Sequence, residues 1–190
     1  MKFKKSLFVT GVLTSLALCA PYIPSIVSAD DAVDSASEAP VFSDDFESET
    51  ISGWSSLGGA GNLELDKTKS KSGSACLSIS DREQTFNGPS ITVSQYIDTE
   101  ETYRITGWVY NSGSQSETIH CTLKLADSVN VDDYRGIAVI EAQPSEWTYF
   151  EGTVDTPEDV ASALLYFESQ NIDLNFSIDD ICIYGKAPEG

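Results

Sequence analysis

The chain reads as an all-β sandwich or barrel, on three observations. Apolar residues recur with a period of two; turn signals break these runs at short intervals; and past the first thirty residues no stretch carries the apolar stripe of a three-turn helix. The 190 residues include 41% hydrophobic and 10% aromatic side chains, enough for a folded core. Eleven Lys and Arg against thirty Asp and Glu give a formal charge of -19. That charge argues against nucleic acid and anionic membrane as partners, since both repel it. A single histidine excludes chemistry built on several.

Residues 1–29 stand apart from the fold. Lys2, Lys4 and Lys5 precede an uncharged apolar run, Leu7 to Ala20, then Pro21 and Pro24, then Val27-Ser28-Ala29. This is the pattern of a secretory signal peptide, so the mature protein is expected outside the cell. The run is short for a bilayer span, and bulky Leu18 before Cys19 disfavours a lipoprotein site. Cleavage after Ala29 takes the formal charge from -19 to -22. Residues 30–40 read as an acidic flexible leader, residues 41–185 as one domain, and residues 186–190 as a polar tail.

Within the domain, strands are expected in order at Val41 to Phe46, Leu63 to Asp66, Ala75 to Ser80, Ser90 to Val93 and Thr102 to Tyr110. Next, Ile119, Cys121, Leu123 and Leu125 alternate with Thr118, His120, Thr122 and Lys124. Tyr134 to Ala142 follows, with Ile137 and Val139 inward and Tyr134, Gly136 and Ala138 outward. Then Phe150, Gly152 and Val154 alternate with polar neighbours, and Leu165 and Phe167 with Leu164, Tyr166 and Glu168. The last strand, Asn175 to Tyr184, has Phe176 and Ile178 at even positions but Ile181 and Ile183 at odd ones. A β-bulge at Asp179-Asp180 accounts for that slip. Gly58-Gly59, Ser72-Gly73, Asn87-Gly88-Pro89, Asn111-Ser112-Gly113 and Thr156-Pro157 mark turns. Cys76, Cys121 and Cys182 permit at most one internal disulfide; Cys76 and Cys182 share outward parity, and their pairing stays open.

Three groups of residues invite a functional reading. Tyr134, Tyr166 and Glu168 lie on faces that alternation leaves to solvent, beside small residues. Sugar rings suit such a groove, because their C–H faces pack on aromatic rings and their hydroxyls need planar hydrogen-bonding groups. The plain alternative is amphipathic surface tyrosines. The run Arg82-Glu83-Gln84-Thr85-Phe86-Asn87-Gly88-Pro89 is either a binding loop on a rigid sheet or a turn with Phe86 plugging the edge. Asp44-Asp45-Phe46-Glu47 and Asp179-Asp180 place carboxylates at strand ends that a sandwich can bring together, as calcium ligands or as a solvated rim. No triad motif surrounds a serine, and His120 sits in plain alternation. Glu168 lacks an evident second carboxylate for glycoside hydrolysis.

These segments resemble carbohydrate-binding modules of family 22, sandwich modules attached to xylanases and related to families 4 and 9. The resemblance runs through Phe46-Glu47, Gly53-Trp54, Ser72-Gly73, Ala75 to Ile79, Arg82 to Ser90, Tyr103 to Ile105, Trp108-Val109, Glu146-Trp147, Tyr166 to Glu168 and Phe176 to Ile181. It covers residues 41–185. It implies a jelly-roll, galactose-binding-like sandwich that binds xylan or mixed-linkage β-glucan without cutting it, with a structural calcium and an attached or associated glycoside hydrolase. By position, Phe86 stands where family members stack a tryptophan, Tyr134 is the flanking ring, and Tyr166 and Glu168 form the Tyr-x-Glu pair. Arg82, Gln84 and Asn87 are the expected hydrogen-bonding neighbours. Leu57-Gly58 occupies a region where an arginine is common. Calcium maps onto Glu47 and Asp180, with Asp45 or Asp179 contributing. The alternatives are a docking module without a glycan site and a small glycoside hydrolase.

Overall fold

The structure is a computed structural model that describes residues 39–186 and Pro188. The expected signal peptide and nearly all of the acidic leader lie outside the described residues. Eleven strands run in chain order: β1 (Phe42–Asp44), β2 (Trp54–Ser56), β3 (Asn62–Asp66), β4 (Cys76–Ser80), β5 (Pro89–Thr92), β6 (Thr102–Asn111), β7 (Glu117–Ala126), β8 (Asp132–Ala142), β9 (Trp147–Asp155), β10 (Ser162–Glu168) and β11 (Phe176–Tyr184). They form two sheets, β3-β4-β11-β6-β9 with β1 beside β11, and β2-β5-β10-β7-β8. Every pairing between strands is antiparallel. The sandwich expected from the period of two is therefore present.

The alternation sorts side chains as it must when one face of each sheet is dry. Ile119, Cys121, Leu123 and Leu125 of β7 and Leu165 and Phe167 of β10 are buried against Leu77, Ile79, Ile105, Phe176 and Ile178 of the other sheet. Phe150 and Phe167 meet edge to face, centroids 5.7 Å apart. Burying side chains of this size is worth roughly 1.5–3 kcal/mol each.

The slip in β11 is a bulge between Asp179 and Cys182, with Asp180 at φ +50°. It keeps Phe176, Ile178, Ile181 and Ile183 all buried. Before the bulge β11 pairs with β4; after it, with β1, so the two ends of the domain meet as expected.

Two expectations need correction. β2 is missed, because a three-residue edge strand with one apolar residue has no readable period. In β8, a second bulge leaves Ile137 as the extra residue between the pairs Thr122–Gly136 and Cys121–Ala138. Parity reverses there: Ile137 and Ile140 are buried, while Val139 is 68% exposed and not in the core. Gly152 of β9 admits this bulge, since a Cβ there would stand 2.1 Å from the Ile137 carbonyl oxygen. Cys76, Cys121 and Cys182 are all free; Cys76 lies beside Asp179, as Leu77 lies opposite Ile178.

Candidate functional site

The outer face of the β2-β5-β10-β7-β8 sheet carries the site. Strand register sets Thr92, Leu164, Lys124 and Tyr134 abreast in one row, and Ser90, Tyr166, Thr122 and Gly136 in the next. Glu168 lies opposite His120 beyond them. The loop between β4 and β5 and a 3-10 turn, Leu57–Gly59, border this face. Together they enclose a cleft of about 370 Å³ lined by Leu57, Gly58, Phe86, Lys124, Tyr134 and Tyr166.

The rings differ in setting. Phe86 is 42% exposed and Tyr134 58%, so both offer apolar faces to a ligand. Tyr166 is buried. Burial, and then the nearby Glu168 carboxylate, push its phenol pKa up, so it remains a neutral hydroxyl at ordinary pH. Tyr134 is steadied on the edge strand: its hydroxyl meets Asp132 Oδ2 at 3.3 Å, and Lys124 Nζ lies 5.6 Å from its ring. Lys124 in turn pairs with Asp132 at 2.8 Å. Glu168 is half-buried, and its carboxylate has no hydrogen-bond partner among the described residues. Gln84 is exposed on the loop.

Arg82 and Asn87 belong to the frame and not to the ligand surface, which corrects their expected role. Arg82 is buried, and its five N–H donors all meet carbonyl oxygens. Nε donates to Asn87 (2.5 Å), Nη1 to Asn171 (2.7 Å) and Leu174 (3.4 Å), and Nη2 to Thr85 (2.5 Å) and Ser169 (2.8 Å). None remains for a ligand hydroxyl. Asn87 is equally committed. Its Oδ1 accepts from the backbone N–H of Glu83 (3.1 Å) and Gln84 (2.7 Å), and its Nδ2 donates to the Leu57 carbonyl at 2.7 Å. These two side chains build the loop that lifts Phe86 and tie it to the Leu57 turn.

Lys124 was absent from the expected site. Its outward parity beside Tyr134 is the signal that marks it, but only register shows that the two are partners. Leu57 and Gly58, in the region where the resemblance would put an arginine, line the cleft.

Of the expected calcium ligands, Glu47, Asp179 and Asp180 bond to one turn, residues 71–75. Glu47 accepts from Ser74 N (2.7 Å), Ser74 Oγ (2.7 Å) and Ala75 N (3.0 Å), which holds its pKa below the usual carboxylate range. Asp180 accepts from Ser72 Oγ at 2.6 Å, and Asp179 from Lys71 N at 2.7 Å. Asp45 accepts from Glu47 N at 3.2 Å. The donors are hard oxygens of calcium's class. Each already serves protein N–H or O–H groups, and among the described residues no three acids, histidines or cysteines are grouped to hold a metal.

Comparison with known proteins places this geometry. The family model described as "Carbohydrate binding domain" matches residues 39–175. Endo-1,4-beta-xylanase A of Thermotoga maritima is 32% identical over 125 residues, which is 64% of this chain and 12% of the xylanase. Endo-1,4-beta-xylanase A of Thermoanaerobacterium saccharolyticum is 29% identical over 147 residues, 74% of this chain and 12% of that enzyme. The chain thus spans about an eighth of the length of the curated relatives it matches. Among solved structures, the CBM22-1 xylan-binding domain from Paenibacillus barcinonensis Xyn10C superposes with a TM-score of 0.73 at 23% identity, over 80% of this chain and 97% of that one. The CBM22-1-GH10 modules of Clostridium thermocellum xylanase 10B, complexed with xylohexaose, give 0.73 at 21% identity, over 80% and 30%. At these identities the likeness is one of fold.

Proposed function

The chain belongs to the carbohydrate binding domain family, and from that premise we propose that its groove binds xylan, or mixed-linkage β-glucan, without cleaving it. The observation that carries the reading is the cleft formed by Phe86, Tyr134 and Tyr166 on one sheet face. Two exposed rings supply stacking faces, and Tyr166, Glu168 and Gln84 supply hydroxyl partners around them. Hydrolysis would need paired carboxylates across the scissile bond, whereas the cleft that carries this reading is lined by rings, Lys124, Leu57 and Gly58.

The xylanase relatives, of which this chain covers a small part, support an attached or associated glycoside hydrolase as partner and an extracellular setting. Binding domains of this kind keep an enzyme near its polymer by raising its effective concentration. Calcium at Glu47, Asp45 and Asp180 rests on donor chemistry alone; Glu47 and Asp180 already accept hydrogen bonds from the Ser72–Ser74 turn, and Asp45 accepts one from Glu47 N.

The test is mobility of the mature domain in native gels with xylan, mixed-linkage β-glucan or no polysaccharide, beside Phe86→Ala. Retardation by one polysaccharide, lost in the variant, is expected. Removing a central ring from such a contact costs about 2 kcal/mol, roughly thirtyfold in affinity. Equal mobility of the folded domain in every gel sinks the reading and leaves a docking module.

A further inference from the structure

A second cleft, of about 310 Å³, opens on the same sheet face, and Lys124 lines both. Its other walls include Thr92, Asn130, Asp132, Ser162 and Leu164. Register shows how the two connect. Thr92, Leu164 and Lys124 stand abreast, and Ser162, Ala126 and Asp132 form the next row. That row lies about 7 Å further along the strands. The second cleft therefore continues the first, past Lys124 and away from Phe86.

The two clefts differ in chemistry. The second has no aromatic ring in its lining. The side chains of Thr92, Ser162 and Asn130 have no hydrogen-bond partner among the described residues. Beside them the Lys124 ammonium and Asp132 carboxylate sit 2.8 Å apart, both partly exposed. A sugar hydroxyl placed there can accept from the ammonium while donating to the carboxylate, and such charge-assisted bonds are the stronger kind. An exposed ion pair is worth little by itself, so sharing it with a ligand costs little.

We infer that this polar cleft is a hydroxyl-reading subsite that extends the glycan groove and holds further sugar units of the chain stacked on Phe86 and Tyr134. The inference rests on the glycan-binding reading above and goes beyond it. The aromatic cleft recognises sugar faces; the polar cleft recognises the hydroxyl pattern of the units that follow. Thr92, Ser162 and Asn130 then act only on ligands long enough to reach them.

Calorimetric titration of the full chain with a ladder of β-1,4-linked xylo-oligosaccharides of increasing length tests this. The variants are Thr92→Val with Ser162→Ala, and Asn130→Gly. All three residues are exposed, and Asn130 sits at φ +62°, a conformation glycine accepts, so the fold is preserved. In the unaltered chain, affinity should keep rising beyond the shortest oligomer that binds. The variants should lose about five- to tenfold for the longest oligomers and nothing for that shortest one. Binding with the same length dependence in variants and unaltered chain overturns the subsite alone. No binding of any oligomer by the unaltered chain overturns it together with the glycan reading.

Discussion

The Phe86 ring lies against the bare backbone of Gly58, where a Cβ would stand 2.6 Å from Phe86 Cε2. Gly58 also sits at φ +77°, which L side chains rarely adopt. The 3-10 turn after β2 therefore sets the height at which the Phe86 ring stands over the sheet. Gly58→Ala should displace the ring and weaken polysaccharide retention about tenfold or more, with unchanged far-UV dichroism. Gly59→Ala is the control: at φ +80° it carries the same backbone strain, of about 1 kcal/mol, but its Cβ would meet nothing within 4 Å. If both substitutions weaken binding equally, strain in the turn and not contact with Phe86 is responsible.

Arg82 should behave as a folding residue. Its substitution by Met leaves carbonyl oxygens of Thr85, Asn87, Ser169, Asn171 and Leu174 without this donor in a buried setting. A loss of about 3 kcal/mol or more in unfolding free energy is expected from denaturant titration. Arg82→Lys should recover little of it, because an ammonium cannot match a five-donor fork. A variant that melts like the unaltered chain but fails to bind glycan would return Arg82 to the ligand surface.

Acid should destabilise the domain through Asp66. Burial raises the pKa of this carboxyl, but hydrogen bonds from Thr68 Oγ1 (2.6 Å) and Thr68 N (2.8 Å), with the Lys69 ammonium at 2.9 Å, outweigh it and bring it to about 2 from 3.8. A depressed folded-state pKa contributes stability that is complete above the unfolded value and lost as pH falls through the folded one. The window is therefore about pH 4 down to pH 2, and the contribution about 2 kcal/mol. Melting curves of Asp66→Asn should lack this part of the acid limb. An unchanged slope in the variant would assign the acid sensitivity elsewhere.

The turn over residues 70–75 separates two ways of holding β1, β4 and β11 together. Hydrogen bonds from Ser72, Ser74 and Ala75 to Asp180 and Glu47 already do so. If calcium binds there, adding it to chelator-treated protein should raise the melting temperature by several degrees, and Glu47→Gln should abolish the rise. A melting temperature indifferent to chelator and calcium would mean that hydrogen bonds alone hold the turn.

Alternation in the sequence determined the sandwich, because a dry face on each sheet leaves little freedom over which side chains point inward. It reached the bulge in β11, since Phe176, Ile178, Ile181 and Ile183 must all find the core. Alternation also reached Tyr134 and Tyr166; the resemblance added Phe86 from its loop, and the structure brings the three to one cleft. Tertiary structure alone decided the rest. The bulge at Ile137 follows from how β8 pairs with β7 and how closely Gly152 approaches, so the exposure of Val139 was not legible. Arg82 and Asn87 carry polar groups that suit a sugar, but whether those groups face a ligand or the protein depends on which carbonyls the folded loops bring near. Lys124 is one polar residue in a plain alternation until β8 sets Tyr134 and Asp132 beside it. Side-chain parity is a local property of a strand; the partner across the sheet is fixed only by long-range pairing.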